Sequence, residues 1–131
     1  NYTVKLIKAE LILKPTPLSY NNSMYRLPDS LYLSTTDASN LVGYTITDST
    51  GTATQYARAV IDNLYGEGTY YLFNITSYIS SLLSNLGTER QGFFIRQAGG
   101  VTPNVNRLVL SERGKDAYNS QLLLTVMYIN K

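Results

Sequence analysis

Between Lys5 and Lys14 the chain alternates, with Ile7, Ala9, Leu11 and Leu13 on one side and Lys8, Glu10, Ile12 and Lys14 on the other. A period of two over that length predicts a half-buried strand. It should stop at Pro15-Thr16-Pro17, because proline cannot donate to a ladder. A long polar connection follows from Pro15 to Ser30, with Asn21-Asn22 as a turn signal. Further short strands are expected at Leu31–Thr35, Arg58–Ile61 and Tyr70–Phe73. Tyr44–Thr47 and Thr52–Tyr56 flank Asp48-Ser49-Thr50-Gly51, whose Asp and Gly suit a type I turn, so a hairpin is expected there. Asp62–Gly68 reads as a glycine-containing loop.

One segment has a different period. Ile75, Ile79, Leu82, Leu83 and Leu86 form a single helical stripe, with Asn74 or Thr76 to cap its start and Gly87 to end it. Strands return at Gly92–Arg96, Arg107–Ser111 and Gln121–Tyr128, with turns at Ala98-Gly99-Gly100 and Thr102-Pro103-Asn104 between the first two. In the last strand Leu122, Leu124, Val126 and Tyr128 alternate with Leu123, Thr125 and Met127, so both faces are largely apolar, as expected of a central strand. The sum is an all-β fold: an antiparallel β-sandwich, jelly-roll-like, with one short α-helix at about residues 75–86.

With 131 residues there is room for a single domain spanning 1–131. The sequence has no Cys, His or Trp. Thiolate chemistry, imidazole-based nucleophilic systems and disulfide scaffolds are therefore excluded, and so are nearly all zinc sites. A net charge of +2 gives no strong attraction to nucleic acid or to an anionic membrane. No run of apolar residues is long enough to span a bilayer. The chain opens Asn1-Tyr2-Thr3, which reads as a trimmed segment of a longer secreted protein. Asn-x-Ser/Thr triplets at Asn1, Asn21 and Asn74 are what a chain this rich in Asn, Ser and Thr produces by chance.

Four stretches recur in a known order: Tyr70–Ile79, Gln91–Ile95, Asn106–Glu112 and Leu122–Tyr128. Together with Ile7-x-Ala9-Glu10-Leu11-x-Leu13 they resemble jelly-roll modules of the carbohydrate-binding type attached to secreted bacterial proteins. The resemblance extends to the C-terminal domain of an uncharacterised family of Bacteroidetes cell-envelope lipoproteins. It implies an extracytoplasmic location, at the bacterial cell surface or secreted, and a polysaccharide or a neighbouring envelope protein as partner. That family module usually has extra strands before the Ala-Glu-Leu strand, and carbohydrate binders often use Trp platforms; this sequence has neither feature.

The candidate chemistry is sparse. Paired carboxylates for glycoside cleavage would have to come from residues such as Glu10 and Glu112. The plainer reading has Glu10 on an outward strand face and Glu112 paired with Arg107 or Arg113. Gly66-Glu67-Gly68 precedes a strand rather than a helix, so it reads as a turn and not as a phosphate cradle. Asp37, Asp48 and Asp62, with Ser49 and Thr50, carry oxygens of the kind a structural calcium needs, but without the spacing of a known calcium loop; no cofactor is expected. Arg90, Arg96, Arg107, Arg113 and Lys115 are broken up by Glu89, Glu112 and Asp116, as on a solvated strand face.

Twelve Tyr supply most of the aromatic surface. Tyr32, Tyr71 and Tyr128 fall in strands, whereas Tyr20, Tyr25, Tyr44, Tyr65 and Tyr118 fall in or beside loops. Tyr20, Tyr25 and Tyr65 are the candidate ligand-binding residues, because loops gather at the ends of a sandwich. The expected function is a non-catalytic cell-surface interaction module with weak glycan binding. The alternative is a structural module that assembles through an open edge strand, with a homo-oligomer by edge pairing as one form.

Overall fold

A computed structural model describes residues 2–85, 92–99, 106–111 and 120–130. Seven strands and one helix follow in the order β1 (Tyr2–Leu13), β2 (Ser30–Thr36), β3 (Val42–Thr45), β4 (Ala57–Arg58), β5 (Tyr71–Asn74), α1 (Thr76–Ser84), β6 (Gly92–Gln97) and β7 (Gln121–Asn130). All pairings are antiparallel and build two sheets. One has the order β5-β1-β7. In the other, β6 pairs with β2 from Leu31 to Thr36, leaving the opposite edge of β2 to β4 at its start and to β3 at its end. The fold is thus an all-β sandwich with one short helix.

The core lies between the sheets. Ala9 and Leu13 of β1 with Tyr71 and Phe73 of β5 meet Leu31 and Leu33 of β2 and Ala57 of β4. β5 shows the period-two logic most cleanly: Tyr71 and Phe73 are buried while Leu72 and Asn74 face out. Tyr71 also donates its hydroxyl to the Pro28 carbonyl at 2.5 Å, which anchors the long 15–30 connection to the core. Burial, and secondarily the carboxylate of Asp29, hold its phenol far above the ordinary range.

β1 departs from simple alternation. Its register with β7 shifts between Leu6 and Lys8, so Ile7 is an extra residue on the β1 side. Leu6 therefore packs on the core and Ile7 stands 48 % exposed, the reverse of the expected phase.

The helix begins where β5 ends. The Ile75 N–H donates to the Ala9 carbonyl at 2.9 Å, and Thr76 Oγ1 accepts the Ala9 N–H at 3.0 Å. Asn74 Oδ1 accepts both the backbone N–H (3.1 Å) and the hydroxyl (2.7 Å) of Thr76, so Asn74 turns the strand into the helix. Tyr78 is buried and Ile79 and Leu82 pack on the core, but Leu83 is half exposed, against the expected stripe. Leu83 follows Leu82 by about 100° around the axis and so falls outside the face that Tyr78, Ile79 and Leu82 share. Leu86 and Gly87 lie outside the described residues.

Three expected strands are shorter than their patterns. At Arg58–Ile61 the strand is only β4, Ala57–Arg58, and Val60 makes an isolated bridge with Tyr70. The segment at Arg107–Ser111 forms only an isolated bridge, Leu110 with Pro15, beside a bond from the Thr16 N–H to the Val109 carbonyl. Pro15 and Pro17 lack the donors to extend it. Likewise Thr52–Tyr56 contributes one bridge, Thr54 with Thr47. The turn between them is as expected, with the Gly51 N–H donating to the Asp48 carbonyl at 3.0 Å.

The largest departure concerns β7. Its two-sided apolar pattern predicts a central strand, yet among the described residues it lies at the edge of its sheet and pairs only with β1, and it is exposed at all ten positions.

Candidate functional site

The three tyrosines proposed from sequence gather around two neighbouring loops. Tyr20 reaches the 62–68 loop, donating to Thr69 Oγ1 (2.7 Å) and approaching the Gly66 carbonyl (3.2 Å). Asp62 organises that loop from within. Oδ1 accepts the N–H groups of Leu64 and Tyr65, and Oδ2 those of Glu67 and Gly68. The Tyr65 N–H, then that of Gly68, do most to hold the Asp62 carboxyl below the usual carboxylate range. Tyr65 rides on this loop, 76 % exposed.

Tyr25 sits in a second closed turn, in which Asn21 Oδ1 accepts the N–H groups of Ser23, Met24 and Tyr25. The Arg107 guanidinium lies 4.0 Å from the centre of the Tyr25 ring and donates twice to the Ser19 carbonyl. One face of Tyr25 is thereby occupied by an intramolecular cation, and the Tyr20 hydroxyl already has protein partners. Tyr118 lies outside the described residues.

A cleft of about 550 Å³ opens elsewhere. It is lined by Ile7 and Lys8 of β1, by residues between Tyr44 and Ser49, and by residues from Asn74 to Ser81 around the start of α1. Of the described loop tyrosines it contains Tyr44, which is 60 % exposed. Gly43 makes room for this strand, since a Cβ there would collide with Thr35 Oγ1. Across the cleft Tyr78 has a raised phenol pKa, from burial first and from neighbouring Tyr44 second. Asp48 lies at the hairpin tip, where the Thr50 hydroxyl above all holds its carboxyl below the usual range.

Gln55 fixes the cleft's two sides relative to each other. Its Nε2 donates to the carbonyls of Thr47 (3.0 Å) and Asn74 (2.8 Å), and its Oε1 accepts the Asn74 N–H at 2.7 Å. No motif marks Gln55 in the sequence; a lone amide in a turn-rich stretch carries no signal until two backbones are placed beside it.

Glu10 is paired with Lys8 at 3.1 Å, and Glu112 lies outside the described residues. Asp37, like Asp48 and Asp62, caps its own turn, with Oδ1 accepting the N–H groups of Ser39 and Leu41. Among the described residues no three acidic, His or Cys side chains cluster as metal ligands would. No described helix is long and apolar enough to cross a membrane.

The other prominent feature is the β1–β7 ribbon. Seven apolar side chains of β7 are 39–69 % exposed, among them Leu122, Leu124, Val126 and Tyr128 on one face and Leu123, Met127 and Ile129 on the other. Val4 and Ile7 of β1 extend this surface, at 54 % and 48 % exposure. β7 contains no charged residue. Natural edges usually carry a charge, a proline or a cover that blocks pairing, and β7 has none of these among the described residues.

Comparison of the chain with family models, with curated proteins and with solved structures finds no match.

Proposed function

We propose that this chain is a non-catalytic interaction module that joins another polypeptide by strand addition at β7. The observation that carries the reading is a ten-residue strand, exposed throughout, with apolar side chains on both faces and, among the described residues, a strand partner on one edge alone. Main-chain bonding along such an edge supplies affinity, and alternate side chains supply selectivity. Lack of His and Cys, and the pairing of Glu10 with Lys8, support a role without catalysis. The resemblance to envelope lipoprotein modules supports an extracytoplasmic setting and a jelly-roll ancestry.

The test uses a fluorescently labelled synthetic peptide with the sequence 121–130 as a generic strand donor. Saturable binding, seen as a rise in anisotropy and abolished by Thr125→Lys in the protein, is the expected result. Absence of binding by protein that sediments as a monomer, or binding indifferent to Thr125→Lys, overturns strand addition.

A second reading is favoured by the cleft. An exposed Tyr44 ring beside Asp48, Ser49 and Ser77 offers a sugar both an apolar face and directional polar groups. Affinity would be weak, roughly millimolar to tens of micromolar. NMR titration with bacterial and plant oligosaccharides should shift cleft resonances, and Tyr44→Ala should remove the shifts. Shifts clustered instead at Tyr20, Tyr25 and Tyr65 would return the site to those loops.

A further inference from the structure

We infer that the partner of β7 is β7 of a second copy, paired antiparallel about a two-fold axis to give one six-stranded sheet in the order β5-β1-β7-β7-β1-β5. This rests on the strand-addition reading above and adds the identity of the partner.

Symmetry comes first. A two-fold axis normal to the sheet keeps each face of the ribbon on its own side, so residues opposite one another must share a face. The even face of β7 then meets its own copy, and so does the odd face. Centred on Val126, Leu124 lies opposite Tyr128 and Leu123 opposite Ile129; centred on Thr125, Leu122 lies opposite Tyr128 and Leu124 opposite Val126. Either register places apolar residues against apolar ones along nearly the whole strand, as cross-strand pairing favours.

Charge comes second. The chain carries +2 overall, but none of it lies on β7, so two copies meet at this edge without like charges face to face. Exposure comes third. The apolar side chains that flank this edge, Leu122, Leu123, Leu124, Val126, Met127, Tyr128 and Ile129, are 39–69 % exposed, so cross-strand packing has apolar surface to cover. The opposite edge of the same sheet differs. There Gln55 occupies both outward backbone groups of Asn74, so growth of the sheet is directed to the β7 side.

The experiment combines sedimentation velocity with disulfide trapping. The chain has no Cys, so Thr125→Cys and Val126→Cys each introduce a single thiol, carried to the axis in one of the two registers. The expected results are a dimer with Kd below about 0.1 mM, and a covalent dimer on mild oxidation of one of the two variants. Thr125→Lys should weaken the dimer at least ~30-fold, while Leu64→Lys, on an exposed apolar residue of the 62–68 loop, should leave it unchanged; circular dichroism checks that both variants fold. A monomer at millimolar concentration that still binds the 121–130 peptide overturns the second copy as partner and leaves strand addition standing. A monomer that ignores the peptide overturns both. A dimer insensitive to Thr125→Lys, with neither thiol trapped, overturns the β7 interface.

Discussion

The side-chain amide of Gln55 bonds to both backbone groups of Asn74, as a neighbouring strand would. It ties the 47–55 hairpin to the end of β5 and blunts that edge of the sheet. Gln55→Ala should cost about 1–2 kcal/mol in urea denaturation, because three backbone groups, the Asn74 N–H and the carbonyls of Asn74 and Thr47, lose a protein partner but regain water. Gln55→Glu keeps the acceptor for the Asn74 N–H and sets a carboxylate oxygen against the Asn74 carbonyl, so it should be no better than Ala above the carboxylate pKa and should recover in acid, where the protonated acid can donate.

Tyr71→Phe deletes a buried hydroxyl and leaves the Pro28 carbonyl without its donor. The expected loss is about 1–3 kcal/mol. The wild type should also lose stability as pH rises above about 10. There the unfolded phenol ionises while the folded one, with its pKa raised, stays protonated, so the folded state binds more protons and alkali favours unfolding. Denaturation midpoints between pH 8 and 11 should fall more steeply for the wild type than for Tyr71→Phe.

Ser34 Oγ is buried without a hydrogen-bond partner among the described residues. Ser34→Ala removes that unmet donor with little change of volume, and should raise stability by roughly 1 kcal/mol. A loss of stability in thermal melts would show that the hydroxyl has a partner in the folded protein.

Asp48 and Asp62 cap their turns as carboxylates, and the hydrogen bonds they accept hold their folded pKa values below the ordinary aspartate value. Their contribution is complete above that value and disappears as pH falls through the lower folded one. Asp62→Asn and Asp48→Asn should therefore flatten the acid limb of the stability curve below about pH 4. Of the two, Asp62→Asn should also loosen the loop under Tyr20, seen as faster hydrogen exchange at Gly68.

Alternation and helical period located β1, β2, β5, β6, β7 and α1, because each is governed by its own residues. Face assignments failed where a neighbour decides. The phase of β1 breaks at Ile7 because β7 supplies one residue fewer than β1 over the same length, which β1 alone does not encode. The place of β7 failed for a different reason. Apolarity on both faces says that both need covering, not whether the cover belongs to the same fold. Tyr20, Tyr25 and Tyr65 were legible as loop tyrosines, but their partners Thr69 and Arg107 are remote in sequence. The cleft was legible only in Tyr44 and in the Asp48-Ser49 turn, since Ile7, Lys8 and the residues from Asn74 to Ser81 come beside them only in the fold.

The extra residue at Ile7 also has a geometric result. A bulge bends its strand and tightens the local right-handed coil. The part of the ribbon before it, Tyr2–Leu6 with Val126–Asn130, therefore leaves the plane set by Glu10–Leu13 and β5. Two molecules joined along this margin would lie skewed, as crossed blades. Excising Ile7 would straighten the strand, leave Val4 and Leu6 opposite Tyr128 and Val126 on the faces they hold now, and change the angle between the molecules before it changed their affinity, a difference visible in small-angle scattering.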